Sequence, residues 1–511
     1  IAAKGWNGIG SRGVAPNANL ISLNALEVYA DEAQELYDKN EIPYLLDDVS
    51  LQAHRLHDAL VRNLKHTDIY SNSWGHGGPY PDYLNFDNQL LYGVANGRDG
   101  KGAIYVKSAG NGRLEGHFDN FDQIQTNGYF IVVGASGADG VYSWYSTPGS
   151  NLLVNAPGGS SSERYLKPVE HMVVTTDMAG KDRGYDSEIP KETSVSHFSV
   201  MGNENYDYTQ SMNGTSAAAP IVSGVVALML EANPDLTWRD VQIILARTAT
   251  KNDPSNPSWF TNAAGLHVSN DYGFGRVDAQ AAVAMAKTFN SVGGFFDQQS
   301  AIGASSSTSI NINEDLTIEH VSIKLTATPS ISTTTKYTTR TLSGSGNGTR
   351  TTTLNAGTNR IRFTTVGDAN QLSSLSFGPD VFGGTTTPLF SNLDGNATEE
   401  TFVDIDSTAA YNFYVDSNAT SWRIELTIPL PPDEPASASN MRIALVSPSG
   451  TRSVLVDAPN GLDANSMYSG TRLSSVQFMD ESSQGTWRLE VQDISGGIFT
   501  LKEWSINIKG R

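Results

Sequence analysis

Asn213-Gly214-Thr215-Ser216-Ala217-Ala218-Ala219-Pro220 runs directly into the apolar, small-residue stretch from Ile221 to Leu230. A hydroxyl in such a place can be a nucleophile. The pattern predicts a loop that enters a helix at Thr215-Ser216, so that unpaired backbone N–H groups and the positive end of the helix dipole face whatever Ser216 attacks. That geometry favours an anionic tetrahedral intermediate. Pro220 is expected in the first turn, where a missing N–H costs little. A bare Gly-Thr-Ser is also an ordinary helix cap, and alone it does not separate the two readings.

The elements expected to position this chemistry lie upstream. Ala103-Ile104-Tyr105-Val106 is a short β-rich run ending in Lys107-Ser108-Ala109-Gly110-Asn111-Gly112, a turn by composition. Asp68-Ile69-Tyr70-Ser71-Asn72-Ser73-Trp74-Gly75 repeats the plan of a strand running out into a glycine-bearing loop. Together the three blocks resemble the subtilisin-like serine proteases, in the order that family uses. The resemblance implies that Ser216 is the nucleophile, that Asn111 supplies an oxyanion-hole amide, and that Ser73-Trp74-Gly75 and Ser108-Ala109-Gly110 flank the pocket for the residue before the scissile bond.

Further text resembles the kexin and furin branch. Leu228 to Gln242 looks like that branch's helix, turn and following helix, and Val268 to Ala279 like its closing segment; Val174-Thr175-Thr176-Asp177 and Trp144-Tyr145-Ser146 are weaker matches. In this branch the specificity pocket is acidic and calcium-assisted. Gly78, His117 and Thr147 fall about where its calcium ligands would be, so that site is expected to be lost. Asp122 falls near the carboxylate of the pocket floor; it pairs with a basic substrate side chain or is a solvated surface residue. A second calcium site is implied at Lys4, Asn7, Ile9 and Ser11, with its aspartate ligand outside the chain, the alternative being a plain glycine-rich turn.

A weakly acidic serine needs a general base and a carboxylate that orients it. The family's His-Gly-Thr motif is not present. His54, His57, His66, His76, His117, His171 and His197 precede Ser216, but none stands in a Gly-Thr context at a helix start. The opening Ile1 to Pro16 resembles family text just after the catalytic histidine, so the aspartate and histidine are expected from a segment ahead of Ile1, and the chain alone is expected to fold poorly. The other reading is an inactive remnant whose β domains bind a surface or partner.

The 511 residues suggest two or three domains, and a net charge of -20 argues against nucleic acid as partner. The chain has no cysteine, which excludes disulfides and cysteine chemistry. No run is read as a membrane span, and a secreted, extracellular or periplasmic monomer acting on proteins or peptides is expected. Near residue 288 the composition changes. Before it, glycine- and alanine-rich helices alternate with apolar strands such as Leu20 to Leu23 and Ile131 to Val133, which predicts an α/β domain with a parallel sheet and helices on both faces, residues 1–288. Beyond it, alternating stretches predict an all-β region, residues 289–511. Met441 to Leu455, Gly485 to Asp493 and Leu501 to Ile508 resemble the jelly-roll β-sandwich P domain of kexin-like proteases. Its opening strand is read as Thr317 to Leu325 and its resumption as Trp422 to Ile428, with a β-rich insert at about 326–420.

Overall fold

The computed structural model describes residues 1–23, 55–75, 86–159, 172–180, 207–303, 307–330, 337–366, 372–379, 387–394, 398–417, 419–429, 441–457, 469–493 and 498–511. Strands β1 (Ile69–Asn72), β2 (Ile104–Ser108), β3 (Phe130–Ser136) and β4 (Leu152–Pro157) pair in that order, all parallel. Every residue of β2 and β3 is buried, as a parallel sheet covered on both faces requires. Side chains alternate between the faces. On one, Tyr70 stacks on Tyr105, Tyr105 meets Phe130 edge-on, and the Tyr105 hydroxyl donates to Leu60 O at 2.7 Å. Helix α1 (Asp87–Asn96) lies there, with Gly93 leaving the space that the Tyr105 phenol fills.

On the other face lies α2 (Thr215–Ala232), which packs along all four strands and touches β1 through a Ser223–Ser71 hydroxyl bond of 3.0 Å. Ala217, Ala218, Ala219, Val222, Gly224, Val225, Val226 and Met229 are buried, so the helix is apolar nearly all round because it is a core helix. By length and composition alone it is apolar enough to cross a membrane, contrary to the sequence reading that no run is; here it is the inner layer of the α/β domain. Helix α3 (Trp238–Thr248) starts on a reciprocal cap, Thr237 accepting from Asp240 N while the Asp240 carboxylate accepts from Thr237 N. Asp278 caps α4 (Ala279–Ala286). Leu20 to Leu23 forms no strand, and Leu20 and Ile21 are exposed.

A β-sandwich follows in the same compact unit, which comprises Ile1–Thr328, Ser437–Ile494 and Phe499–Arg511. One antiparallel sheet runs 309–312, 485–493, 441–446, 452–457, and the other 469–475, 318–330, 498–510, 297–302. Trp487, Trp504, Phe478, Ile318 and Ile323 fill the space between them, joined by Phe118 and Phe121 from the α/β domain. Two strands therefore precede the one read as opening this sandwich. Asp297–Ile302 is mostly exposed and polar, so it carries little of the alternation that marks a strand in sequence.

The second unit is Pro329–Ala436 with Ser495–Ile498, a further sandwich built on Phe363, Phe377, Phe413, Trp422 and Ile424. Ser421–Pro429 lies between 337–344 and 357–366 in its sheet, so Trp422 to Ile428 belongs to this insert and not to the sandwich that follows the α/β domain. Alternation shows that a segment is a strand. It does not show which sheet the strand joins.

Where the first sandwich meets the α/β domain, Lys509 Nζ donates to Asn127 O at 2.9 Å and sits over the Tyr129 ring. Beside it His320 is fully buried, and neither ring nitrogen has a hydrogen-bond partner. Burial first, then the Lys509 and Arg472 charges, hold its pKa well below the usual 6.5. A depressed pKa contributes stability that is present above the unfolded value and lost as pH falls below it. His320→Phe is therefore expected to flatten the acid limb of melting temperature against pH below about 6.5. Parallel limbs for the two proteins would refute this role.

Candidate active site

Gly214 enters α2 with φ 101°, a conformation that L side chains rarely adopt. Its N–H donates to the Tyr145 hydroxyl at 2.8 Å and to Gly158 O at 3.0 Å, which pins the turn to the strands behind it. Thr215 and Ser216 are then the first two helical residues, so the Ser216 N–H has no partner within the helix. Asn111, just past the end of β2, closes the other side. Its Oδ1 accepts from Thr215 N at 3.0 Å and from Thr215 Oγ1 at 2.9 Å, while Thr215 Oγ1 accepts from Gly110 N at 3.1 Å. A backbone N–H can only donate, so the Asn111 atom facing it is the oxygen. The Nδ2 group is left on the side of the cleft.

Pro220 is the sixth helical residue, not part of the first turn as the sequence reading placed it. A proline there supplies no N–H to the carbonyl four residues earlier, which is that of Ser216. The Ser73 hydroxyl fills the vacancy, donating to Ser216 O at 2.9 Å, and Ser216 Oγ in turn donates to Ser73 O at 3.2 Å. Ser73 thus supports the helix start directly. Ser73→Ala is expected to cost about 1–2 kcal/mol of stability, the range for a lost side-chain hydrogen bond at a helix start. Chemical denaturation checks it, and a change within about 0.3 kcal/mol would refute the role.

The cleft beside Ser216 has a volume of about 570 Å³ and is lined by Ser73, Trp74, Gly75, Lys107, Ser108, Ala109, Gly110, Asn111, Glu115, His117, Phe118, Asp119, Phe121, Asp122, Gln125, Thr147 and Ser216 among others. All the residues expected to flank the substrate therefore meet in one place. Sequence reasoning gave no role to Lys107 or Tyr145 and placed Thr215 only at the helix start; the signal for the first was a lysine inside an otherwise apolar strand. One wall, the loop from Phe118 to Asn127, is fastened to the sandwich. Asn120 Nδ2 donates to Leu455 O at 2.9 Å and Ser474 O at 3.1 Å, and Arg472 pairs with Asp87 and donates to Thr126 Oγ1 at 2.8 Å. Asp119 is fully buried, and burial pushes its carboxyl up to about 8 against the donors from Asn151, Leu152 and Asn120.

His117 lines the cleft but makes no hydrogen bond to Ser216, whose hydroxyl bonds only Ser73 O among the described residues. His57 packs edge-on against Phe86, and His66 lines a separate pocket at the β1 side. His54, His76, His171, His197 and Gly78 lie outside the described residues. Thr147 Oγ1 accepts from Gly112 N at 3.0 Å. In the N-terminal loop, Asn7 Oδ1 accepts from Ile9 N at 3.4 Å and the Ser11 hydroxyl donates to Val174 O at 3.0 Å, while Lys4 brings only its carbonyl as a hard donor. These neutral oxygens suit calcium in type. No group of three or more acidic or histidine side chains converges among the described residues.

Residues 1–275 match the subtilase family, and residues 434–508 match the proprotein convertase P-domain. The chain belongs to the subtilase family. Within it the chain is a kexin- and furin-like subtilase with a C-terminal P domain. It is 32% identical over 300 residues to Furin-1 of Xenopus laevis, covering 57% of this chain and 31% of that protein. With Protease KEX1 of Kluyveromyces lactis the identity is 36% over 239 residues, 46% of this chain and 27% of the relative. With the Aeromonas extracellular serine protease of Aeromonas sobria it is 31% over 328 residues, 55% of this chain and 48% of the relative. The chain thus spans less than half the length of these relatives. A crystal structure of the Aeromonas sobria serine protease in complex with a chaperone has the same fold, with a TM-score of 0.64 at 22% identity over 100% of this chain and 79% of that one. This subtilase also carries the second unit, Pro329–Ala436, which lies between the two matched regions.

Proposed function

We propose that this subtilase is a secreted serine endopeptidase of the kexin type, acting on proteins or peptides, with Ser216 as nucleophile. The observation that carries the reading is the orientation of Asn111: with both Thr215 donors on Oδ1, its Nδ2 is turned away from them, and it and the unpaired Ser216 N–H lie 3.4 and 3.5 Å from where a Cβ on Gly214 would sit. Ser216 Oγ attacks the peptide carbonyl carbon, and the carbonyl oxygen becomes an oxyanion between those two donors. The Oγ proton, now directed at Ser73 O, passes to a histidine base, which with its orienting carboxylate comes from outside the described residues. Collapse expels the amine and leaves an acyl-enzyme, which water then hydrolyses.

Fluorophosphonate labelling of Ser216 in the full-length protein tests the reading. Labelling that depends on Ser216 supports it. Its absence in a folded protein supports the inactive remnant, which is favoured by one fact: the hydroxyl makes no bond to a histidine among the described residues. We further propose that the loop of Lys4, Asn7, Ile9 and Ser11 contributes neutral oxygens to a structural calcium ion whose carboxylate lies outside the described residues. Chelation is expected to lower the melting temperature of the full-length protein, and an unchanged melt would remove the proposal.

A further inference from the structure

β2 places a lysine where its neighbours are apolar. Lys107 follows Ile104, Tyr105 and Val106 and is 1% exposed. Its Nζ donates to Trp74 O at 2.6 Å and to Ser108 O at 3.2 Å, and Asp122 Oδ2 lies 3.9 Å away. Those carbonyls belong to the two segments that wall the cleft beside Ser216. An ammonium has three donors and no acceptor, and this one is surrounded by acceptors, which favours the charged form. Burial draws its pKa down, and Asp122 works against that.

Asp122 is correspondingly committed. Its Oδ1 accepts from Ile124 N at 3.2 Å and its Oδ2 from Gln125 Nε2 at 2.9 Å, on the side that faces Lys107. A cation from outside would have to displace Lys107 or lie against it. We infer that Lys107 takes, from within the protein, the place of a basic substrate side chain, so that the pocket selects uncharged side chains at the residue before the scissile bond. Acidic side chains are disfavoured as well, because two of the ammonium's donors are engaged, its charge is balanced by Asp122 at 3.9 Å, and Glu115 lines the same cleft. What remains for the substrate is the apolar surface of Trp74, Ala109, Phe118 and Phe121. The inference rests on the reading of this cleft as the substrate site of Ser216.

Benzamidine, a small amidinium cation, probes the pocket without needing any chemistry. Calorimetric titration of the full-length wild-type protein is expected to show no binding in the millimolar range. Lys107→Ala frees Asp122 and is expected to bind at least about tenfold more tightly, as a newly exposed carboxylate pairing with an amidinium should. Lys107→Ala with Asp122→Asn is expected to lose that gain. Wild type that binds benzamidine as well as Lys107→Ala does would overturn the inference.

Should Lys107→Ala not fold, wild type alone decides through peptides that differ only before the scissile bond. Faster cleavage after leucine or glutamine than after arginine or lysine supports the inference, and the reverse order overturns it. If no peptide is cleaved, the peptidase reading fails, while wild-type benzamidine binding still judges the pocket: binding overturns the role of Lys107, and its absence supports it.

Discussion

Asn111→Asp in the full-length protein is expected to lower kcat by about 10²–10³-fold or more with little change in KM, a magnitude measured for an oxyanion-hole donor in subtilisin itself. The substitution is chosen for what it keeps. Aspartate retains an oxygen for Thr215 N and Thr215 Oγ1, so the contacts that hold the helix start in place survive. What changes is the other atom of the head group, from an N–H donor to a second oxygen with negative charge. A developing oxyanion would then meet repulsion where it now meets a donor. Because the interaction exists only once charge has moved onto the carbonyl oxygen, the loss falls on kcat. Thr215→Val is the control for a merely structural role: it removes the hydroxyl that links Gly110 N to Asn111 and should lower stability as well as activity. If Asn111→Asp leaves kcat within about threefold of wild type, Asn111 does not stabilise the transition state.

The difference between what was readable in the sequence and what was not follows the range of each interaction. Asn213 to Pro220 was readable because a serine at a helix start depends on its neighbours in the chain: a left-handed glycine, two small residues and an apolar run. The Thr237–Asp240 cap belongs to the same class. The Ser73–Ser216 exchange was not readable, since it joins residues 143 apart and exists because Pro220 sits one turn deeper than expected. Lys107 was visible as an odd letter in a strand, but its meaning depends on Trp74 and Asp122, contributed by two other points in the fold. For the β regions the limit was different. Period-two alternation marks Trp422 to Ile428 as a strand equally well in either sandwich, and only pairing with 337–344 and 357–366 assigns it.

Glu319→Ala is expected to destabilise the chain by about 3–5 kcal/mol, the largest single stability effect foreseen, because it strands a buried guanidinium. Arg239 on α3 is 1% exposed and Glu319 on the strand Ile318–Ser330 is 4% exposed. The pair is bidentate, with Arg239 Nε on Glu319 Oε2 at 2.9 Å and Nη2 on Oε1 at 2.5 Å. Remaining guanidinium donors go to the Phe295 carbonyl and to Gly510 O at 3.1 Å, and Arg511 approaches Glu319 Oε1 at 3.2 Å. The ion pair therefore ties α3 of the α/β domain to two strands of the sandwich, Ile318–Ser330 and Ile498–Gly510. Its net worth against an apolar contact is small, since both charges had to leave water; the cost appears when one partner is removed and the other stays. The double change Arg239→Met with Glu319→Leu should recover most of what Glu319→Ala loses. Urea denaturation of wild type and the two variants separates the terms: a Glu319→Ala protein within about 1 kcal/mol of wild type would mean that Arg239 finds water instead, and that the junction is looser than the distances imply.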